Sequence, residues 1–139
     1  MRLTSFTDYG LRVLMRLAGE PERAMSTAEL AEEFQVSRNH LAKVISALST
    51  GGLLQTRRGG GGGATLARDP SEIRLGDVVA LLESGQAIVE CFQPSGNACT
   101  LMPRCLLKSR LSKAERAFIA DLNQSTLADC VYTPFTPEG

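Results

Sequence analysis

The sequence predicts a mainly α-helical chain carrying one small β-hairpin. Three observations carry that expectation. Apolar residues recur at helical spacing between residues 6 and 50, in segments punctuated by Ser, Gly and Pro. Two short β-prone segments then flank five consecutive glycines, Gly59 to Gly63. Further on, Leu107, Leu111, Ala114, Phe118 and Leu122 form a last long helical stripe. A length of 139 residues suits one ordinary domain, or a small domain with a helical arm. The chain is 43% hydrophobic and 22% charged, close to globular averages, which excludes wholesale disorder. With five Phe, two Tyr and no Trp, the core must be built from Leu, Ala, Val and Ile.

The first helix is expected over residues 6–18, with Phe6, Gly10, Val13, Leu14 and Leu17 on one face and Gly19 and Pro21 stopping it. Ser26 caps a second, at 27–34, with Glu29 as its capping-box partner and Leu30 facing inward. A brief turn at Gln35 and Val36 leads to Ser37, the N-cap of a third helix running to residue 50. That helix buries Leu41, Val44, Ile45 and Leu48, and Gly51 and Gly52 end it. Two such helices separated by about three residues, after a preceding helix, have the proportions of a helix-turn-helix. Short strands at 53–56 and 64–67, joined by Arg57, Arg58 and the glycines, then read as the wing of a winged helix. A flexible glycine linker is the alternative; the flanking strands and the two arginines favour the wing.

A helix at 74–82 follows, led by Asp69, Pro70 and Ser71. Residues 84–104 keep no steady period and contain Pro94, Gly96 and Pro103. The long helix at 105–123 has little left to pack against in so small a chain. Pairing with the same helix of a second copy would bury its stripe, with burial inside one protomer as the alternative. The expected organisation is therefore a winged helix-turn-helix DNA-binding domain over 1–70 and a cysteine-bearing loop with a C-terminal dimerisation helix over 71–132. A loose tail over 133–139 completes it.

No apolar run approaches the roughly 20 residues of a membrane span, so no membrane association is expected. The first ten residues include Asp8 and no apolar stretch, so a secretory leader is not expected either, and a cytoplasmic location follows. The net charge is zero, yet it is unevenly spread. Residues 1–68 carry nine Lys/Arg against six Asp/Glu, and residues 69–139 carry six against nine. Between Glu33 and Asp69 there is no acid, while Arg38, Lys43, Arg57, Arg58 and Arg68 all fall there. A locally basic stretch of this kind suits a surface that meets phosphates on one face, although solvated basic faces are also common.

Of four cysteines, Cys91, Cys99 and Cys105 lie within 15 residues in the pattern C-x7-C-x5-C. Clustered thiols in a cytosolic chain point to a metal or redox site, and thiolates suit iron–sulfur clusters, zinc or Cu(I). Three thiols fall one short of the four ligands that a tetrahedral zinc or a four-iron cluster takes, so a further donor is needed. Cys130 is the arithmetic candidate, but Ala128 and Val131 beside it suggest a small, buried, inert position. His40, the only histidine, falls in the third helix and is better placed for DNA than for metal. A thiol–disulfide enzyme would want a C-x-x-C or a histidine near the thiols, and the chain has neither. It also lacks a Ser/His/Asp or paired-carboxylate constellation, so a non-enzyme is expected.

At these residues the chain resembles the dimeric winged-helix iron–sulfur regulators of bacteria, from Met1 to about residue 132. The resemblance is carried by Leu3-Thr4, by Thr7-Asp8-Tyr9-Gly10-Leu11-Arg12 and by Val36-Ser37-Arg38-Asn39-His40-Leu41. The wing residues Arg58-Gly59, Gly62-Gly63 and Leu66-Ala67 add to it, as do Ile73 to Val79 and the three-cysteine loop. Ser5 to Arg12, Ser37 to His40, and Thr126-Leu127-Ala128-Asp129 are most similar to the nitric-oxide-responsive repressors of that family.

The resemblance implies a homodimer with one cluster per subunit, most simply 4Fe-4S with 2Fe-2S as the alternative, held by Cys91, Cys99 and Cys105. It further implies a fourth ligand from Asp8 of the partner subunit; without the resemblance, an acid in the first helical turn needs no more reason than the helix dipole. The expected function is a repressor whose DNA affinity depends on an intact cluster that reacts with nitric oxide, derepressing nitric-oxide detoxification genes. Ser37, Arg38, Asn39 and His40 would read bases in the major groove of a pseudo-palindromic operator. Arg58, beside Gly59, would enter the minor groove, and Lys43 and Arg57 would meet phosphates. Two departures stand out: Gly60 occupies a wing position often held by Lys in relatives, and Cys130 one usually aliphatic, which leaves it a role in secondary oxidation. The rivals are an iron- or cluster-status regulator on the same fold and a zinc-stapled winged-helix module.

Overall fold

Three helices begin where a side-chain oxygen can accept an otherwise orphaned backbone N–H. The computed structural model describes residues 2–59, 62–86, 88, 92, 100–101 and 105–134. Thr4 caps α1 (Ser5–Gly19) by accepting from the Thr7 amide at 3.3 Å. Ser26 caps α2 (Thr27–Phe34) through the Glu29 amide at 3.1 Å, and Ser37 caps α3 (Arg38–Thr50) through the His40 amide at 3.0 Å. Only half of the expected capping box at α2 forms. The Glu29 carboxylate meets the Ser26 hydroxyl at 3.4 Å and Arg23 at 3.2 Å, because the guanidinium offers a stronger partner than the backbone amide of Ser26.

Between α2 and α3 the chain turns through Gln35, whose φ of 55° puts a non-glycine residue in the left-handed region. Its amide and that of Val36 satisfy the end of α2, the latter by donating to the Ala31 carbonyl at 3.0 Å. This short turn makes the helix-turn-helix. The hairpin follows as strands β1 (Leu54–Arg57) and β2 (Gly63–Leu66), antiparallel, with Leu54 opposite Leu66 and Arg57 opposite Gly63. Met25 adds an isolated bridge to Ala64, with N–H···O distances of 3.1 and 2.7 Å. That bridge explains part of the glycine run. Gly63 sits at φ 145°, and a Cβ there would meet the Met25 carbonyl and the Ser26 amide.

After a 3₁₀ turn at Pro70–Glu72, capped by Asp69, come α4 (Leu75–Leu82) and the long α5 (Leu106–Leu122). A second 3₁₀ turn, Leu127–Cys130, is closed by a full capping box between Thr126 and Asp129. Val13, Leu14 and Leu17 of α1 pack with Leu30, with Leu41, Val44 and Leu48 of α3, and with Ile73, Val78, Leu82 and Leu127. One core thus spans the chain on both sides of residue 70. Each such Leu or Val contributes about 1.5–3 kcal/mol by leaving water.

The long helix differs from the others in having no buried residue among 106–122. Its C-terminal end is held on α4: Asn123 accepts from the Asp77 amide at 2.9 Å and donates to the Asp77 carboxylate at 3.1 Å. Leu106 and Leu107, at its other end, are 83% and 59% exposed. The Tyr132 amide donates to the Met15 carbonyl at 3.1 Å, fastening the end of the expected second segment to α1. Cys130 is half-buried between exposed Ala128 and Val131, so the expected buried apolar position is not what the 3₁₀ turn provides.

Candidate nucleic-acid interface

The amphipathic period of α3 sorts its side chains. Leu41, Val44, Ile45 and Leu48 are buried, which leaves Arg38, Asn39, Ala42, Lys43, Ser46 and Thr50 exposed, with the cap residue Ser37 exposed beside them. Arg57 and Arg58 are exposed at the tip of the hairpin, next to exposed Gly59 at φ 97°. Among the described residues, Arg38, Lys43, Arg57 and Arg58 enter no ion pair. The pairs that form use Arg12, Arg16 and Arg23 instead. The acids of α1 and α2 are therefore largely neutralised, while α3 and the hairpin keep their positive charge, the polarity that a phosphate-bearing partner requires. Sequence reasoning centred on the start of α3 and missed Ala42 and Ser46. The signal was present, because both fall off the apolar stripe on the side of Asn39 and Lys43.

His40 is placed differently from its neighbours. Its ring stands edge-on to Tyr9 at 5.1 Å and lies 6.3 Å from Phe6, so α1 engages it on one side and leaves it half-buried beside exposed Arg38 and Asn39. Tyr9 in turn carries the Arg12 guanidinium over its face at 5.3 Å. Arg12 grips Asp8 bidentately, with Nε and a terminal nitrogen each 3.0 Å from a carboxylate oxygen. Asp8, Arg12, Tyr9 and His40 thus form a contact chain from the first turn of α1 to the first turn of α3.

Of the expected metal ligands, Cys91 and Cys99 lie outside the described residues. Cys105 is half-buried at the N-cap of α5 and makes no capping hydrogen bond. The Asp8 side chain is 50% exposed, reachable by a second protein chain, though paired to Arg12. Among the described residues, no three metal-binding side chains are gathered at one place. Three thiolates and a carboxylate would make a chemically complete four-ligand set for a cluster, and of those donors the described residues include Cys105 and Asp8, both reachable from solvent.

Below this surface, Arg16 is 1% exposed. It donates to Glu33 at 2.9 and 3.1 Å and to Glu20 at 2.8 Å, tying α1 to α2. The hydrogen bonds to Glu33 raise its pKa, burial opposes them, and Glu20 adds to the rise. Glu20, bonded by Arg16 and then Arg23, is held below the usual carboxylate range.

A helix-turn-helix, a hairpin wing and an exposed basic face define a winged-helix DNA-binding protein. The chain matches the Rrf2 family, described as an iron-dependent transcriptional regulator, over residues 3–133. It belongs to that family and is a transcriptional regulator, as its relatives are, and not an enzyme. It is 45% identical over 132 residues to the HTH-type transcriptional regulator NsrR of Bacillus subtilis (strain 168), covering 94% of this chain and 90% of the relative. Identity to the NsrR regulator of Shouchella clausii (strain KSM-K16) is 42% over 132 residues, covering 94% and 89%. Among solved structures it is similar to T. potens IscR, with a TM-score of 0.71 and 27% identity over 93% of this chain and 85% of that one. CymR, the global cysteine regulator of B. subtilis, gives 0.70 and 26% over 93% and 95%. The resemblance read from the sequence is borne out at the level of family. No helix among the described residues is long and apolar enough to cross a membrane.

Proposed function

We propose that the chain is a homodimeric repressor whose operator affinity depends on an iron–sulfur cluster that reacts with nitric oxide. The observation that carries this reading is the exposed basic face of α3 and the hairpin, on a chain that is 45% identical over 132 residues to an NsrR regulator. Ser37, Arg38 and Asn39 read base edges: Arg38 donates to guanine, and Asn39 pairs with adenine or a phosphate. His40 joins them from the same turn, its ring backed by Tyr9 of α1. Arg58 enters the minor groove, and Lys43 and Arg57 neutralise phosphates of a pseudo-palindromic operator.

Cys91, Cys99 and Cys105 hold the cluster, a 4Fe-4S group in the simplest case, with Asp8 of the partner subunit as fourth ligand. When bound, the cluster supplies iron with a weakly held carboxylate position where a small diatomic ligand competes. Asp8 has two alternatives within this reading, the cluster across the dimer or its own Arg12. In the second state Arg12, Tyr9 and His40 form the contact chain described above, and the dimer loses a tie that sets the spacing of its two recognition helices. Repression of nitric-oxide detoxification genes then lifts.

A second reading keeps the fold and replaces nitric oxide by iron or cluster status; the family's description as iron-dependent favours it. An anaerobic absorption spectrum, followed by nitric oxide titration while operator binding is monitored, separates the two. Bleaching in proportion to added nitric oxide, with DNA release, supports the first reading. A coloured protein indifferent to nitric oxide that releases DNA on iron chelation supports the second. A colourless, zinc-loaded protein that binds DNA refutes both.

A further inference from the structure

One group of side chains has no part in the function proposed above. Glu83 ends α4, and its carboxylate accepts three hydrogen bonds from the first turn of α1. Oε1 takes the Thr4 amide at 3.0 Å, while Oε2 takes the Thr4 hydroxyl at 2.6 Å and the Thr7 hydroxyl at 2.7 Å. Thr7 is 0% exposed, and the same Thr4 oxygen caps the helix. Close by, Gly10 of α1 packs so tightly on Leu82 that a Cβ would stand 2.5 Å from Leu82 Cδ1. Burial pushes the Glu83 carboxyl up, but the bonds from Thr4 and Thr7 outweigh it and hold the group below its ordinary range. An apolar contact would join the two helices equally well. Three convergent donors on one carboxylate do more, because they fix the direction and roll of α1 as well as its distance.

Both ends of this contact are next to residues of the proposed site. Thr7 precedes Asp8, and the chain that leaves α4 at Glu83 reaches Cys91 eight residues later. Phe6 and Tyr9, on the same turn, touch His40 of α3. We propose that Glu83 is a positioning residue that clamps the first turn of α1 to the end of α4, so that the presentation of Asp8 is set by that contact. This rests on Asp8 and the cysteines being cluster ligands.

The test compares wild type, Glu83→Ala, Glu83→Gln and Thr7→Val. Amide exchange of the metal-free full-length proteins is followed first, with residues 41–48 as an internal control. After anaerobic reconstitution, loss of the cluster absorption to a ferrous chelator is timed. Glu83→Ala is expected to speed exchange in residues 4–10 at least tenfold with 41–48 unchanged, and cluster loss at least fivefold. Glu83→Gln recovers most of both, since its amide oxygen still accepts the Thr4 amide, and Thr7→Val lies between. Asp8→Ala combined with Glu83→Ala is expected to lose the cluster no faster than Asp8→Ala alone. Unchanged exchange in residues 4–10 overturns the clamp, and effects of the two substitutions that multiply overturn its link to Asp8. If wild type takes up no cluster, the proposed function fails, while the exchange comparison still judges the clamp. If Glu83→Ala unfolds, seen as lost protection at 41–48, Glu83→Gln and Thr7→Val carry the same comparison.

Discussion

Arg16 offers the sharpest test of how α1 is fixed to the helix-turn-helix. Its side chain is 2% exposed, while those of Glu33 and Glu20 are 35% and 42% exposed. Removing one member of a fully buried pair costs about 3–5 kcal/mol, mainly by stranding the other charge. Here the stranded carboxylates recover water, so that part largely disappears. What remains is the loss of three charge-assisted hydrogen bonds, discounted for their exposed ends, about 2 kcal/mol in all. Arg16→Met keeps a stem of similar length in the same packing and is expected to cost that amount. Arg16→Ala also empties the space around the stem and is expected to cost about 4 kcal/mol. For a chain of this size, those losses correspond to falls in Tm of about 6 and 12 °C. Urea unfolding followed by far-ultraviolet circular dichroism measures both. A Met variant within about 0.5 kcal/mol of wild type, with the Ala variant well below it, would refute the reasoning. Arg16 would then act through its stem alone.

Gly76→Ala is expected to destabilise despite a gain in helix propensity of about 1 kcal/mol, because the new Cβ meets the Ile119 carbonyl and the Asn123 side chain. Calorimetry checks the sign, and a higher Tm would refute the tight approach of α4 and α5. Gln35→Gly, at φ 55°, is expected to stabilise by up to about 1 kcal/mol, read as a higher urea midpoint with unchanged slope. Glu20, Asp69 and Glu83 are all held below their ordinary values of 4.5, 3.8 and 4.5. A depressed carboxylate contributes fully above its unfolded value and loses that contribution as pH falls through its folded one. Stability should therefore decline below about pH 4.5, less steeply in Glu83→Gln; an equal slope in that variant, by urea midpoints across pH, counts against the Glu83 hydrogen bonds. Arg38→Ala should cost about 1–3 kcal/mol on a specific operator, while Lys43→Ala weakens binding to all sequences and lowers the salt slope by about 1. A Lys43 variant with altered base preference would refute that division of labour.

The local architecture was legible in the sequence because its causes are local. Ser26 and Ser37 fix helix starts by hydrogen bonds three residues away, and the spacing of Leu41, Val44, Ile45 and Leu48 selects the buried side of α3. Even the hairpin could be read, off by one residue, from β-prone segments around the glycines. The exposed basic residues of α3 follow from the same period. Tertiary structure alone decided the rest. Nothing near Arg16 in the chain announces that it is buried against Glu33, and Glu83 finds Thr4 across 79 residues. Nor does the sequence announce that Tyr9 of α1 stands against the His40 ring. Helix periods and caps are set by backbone geometry within one turn. Partners for buried charge are set by which faces the hydrophobic core brings together, and a single sequence records those faces without recording what lies opposite them.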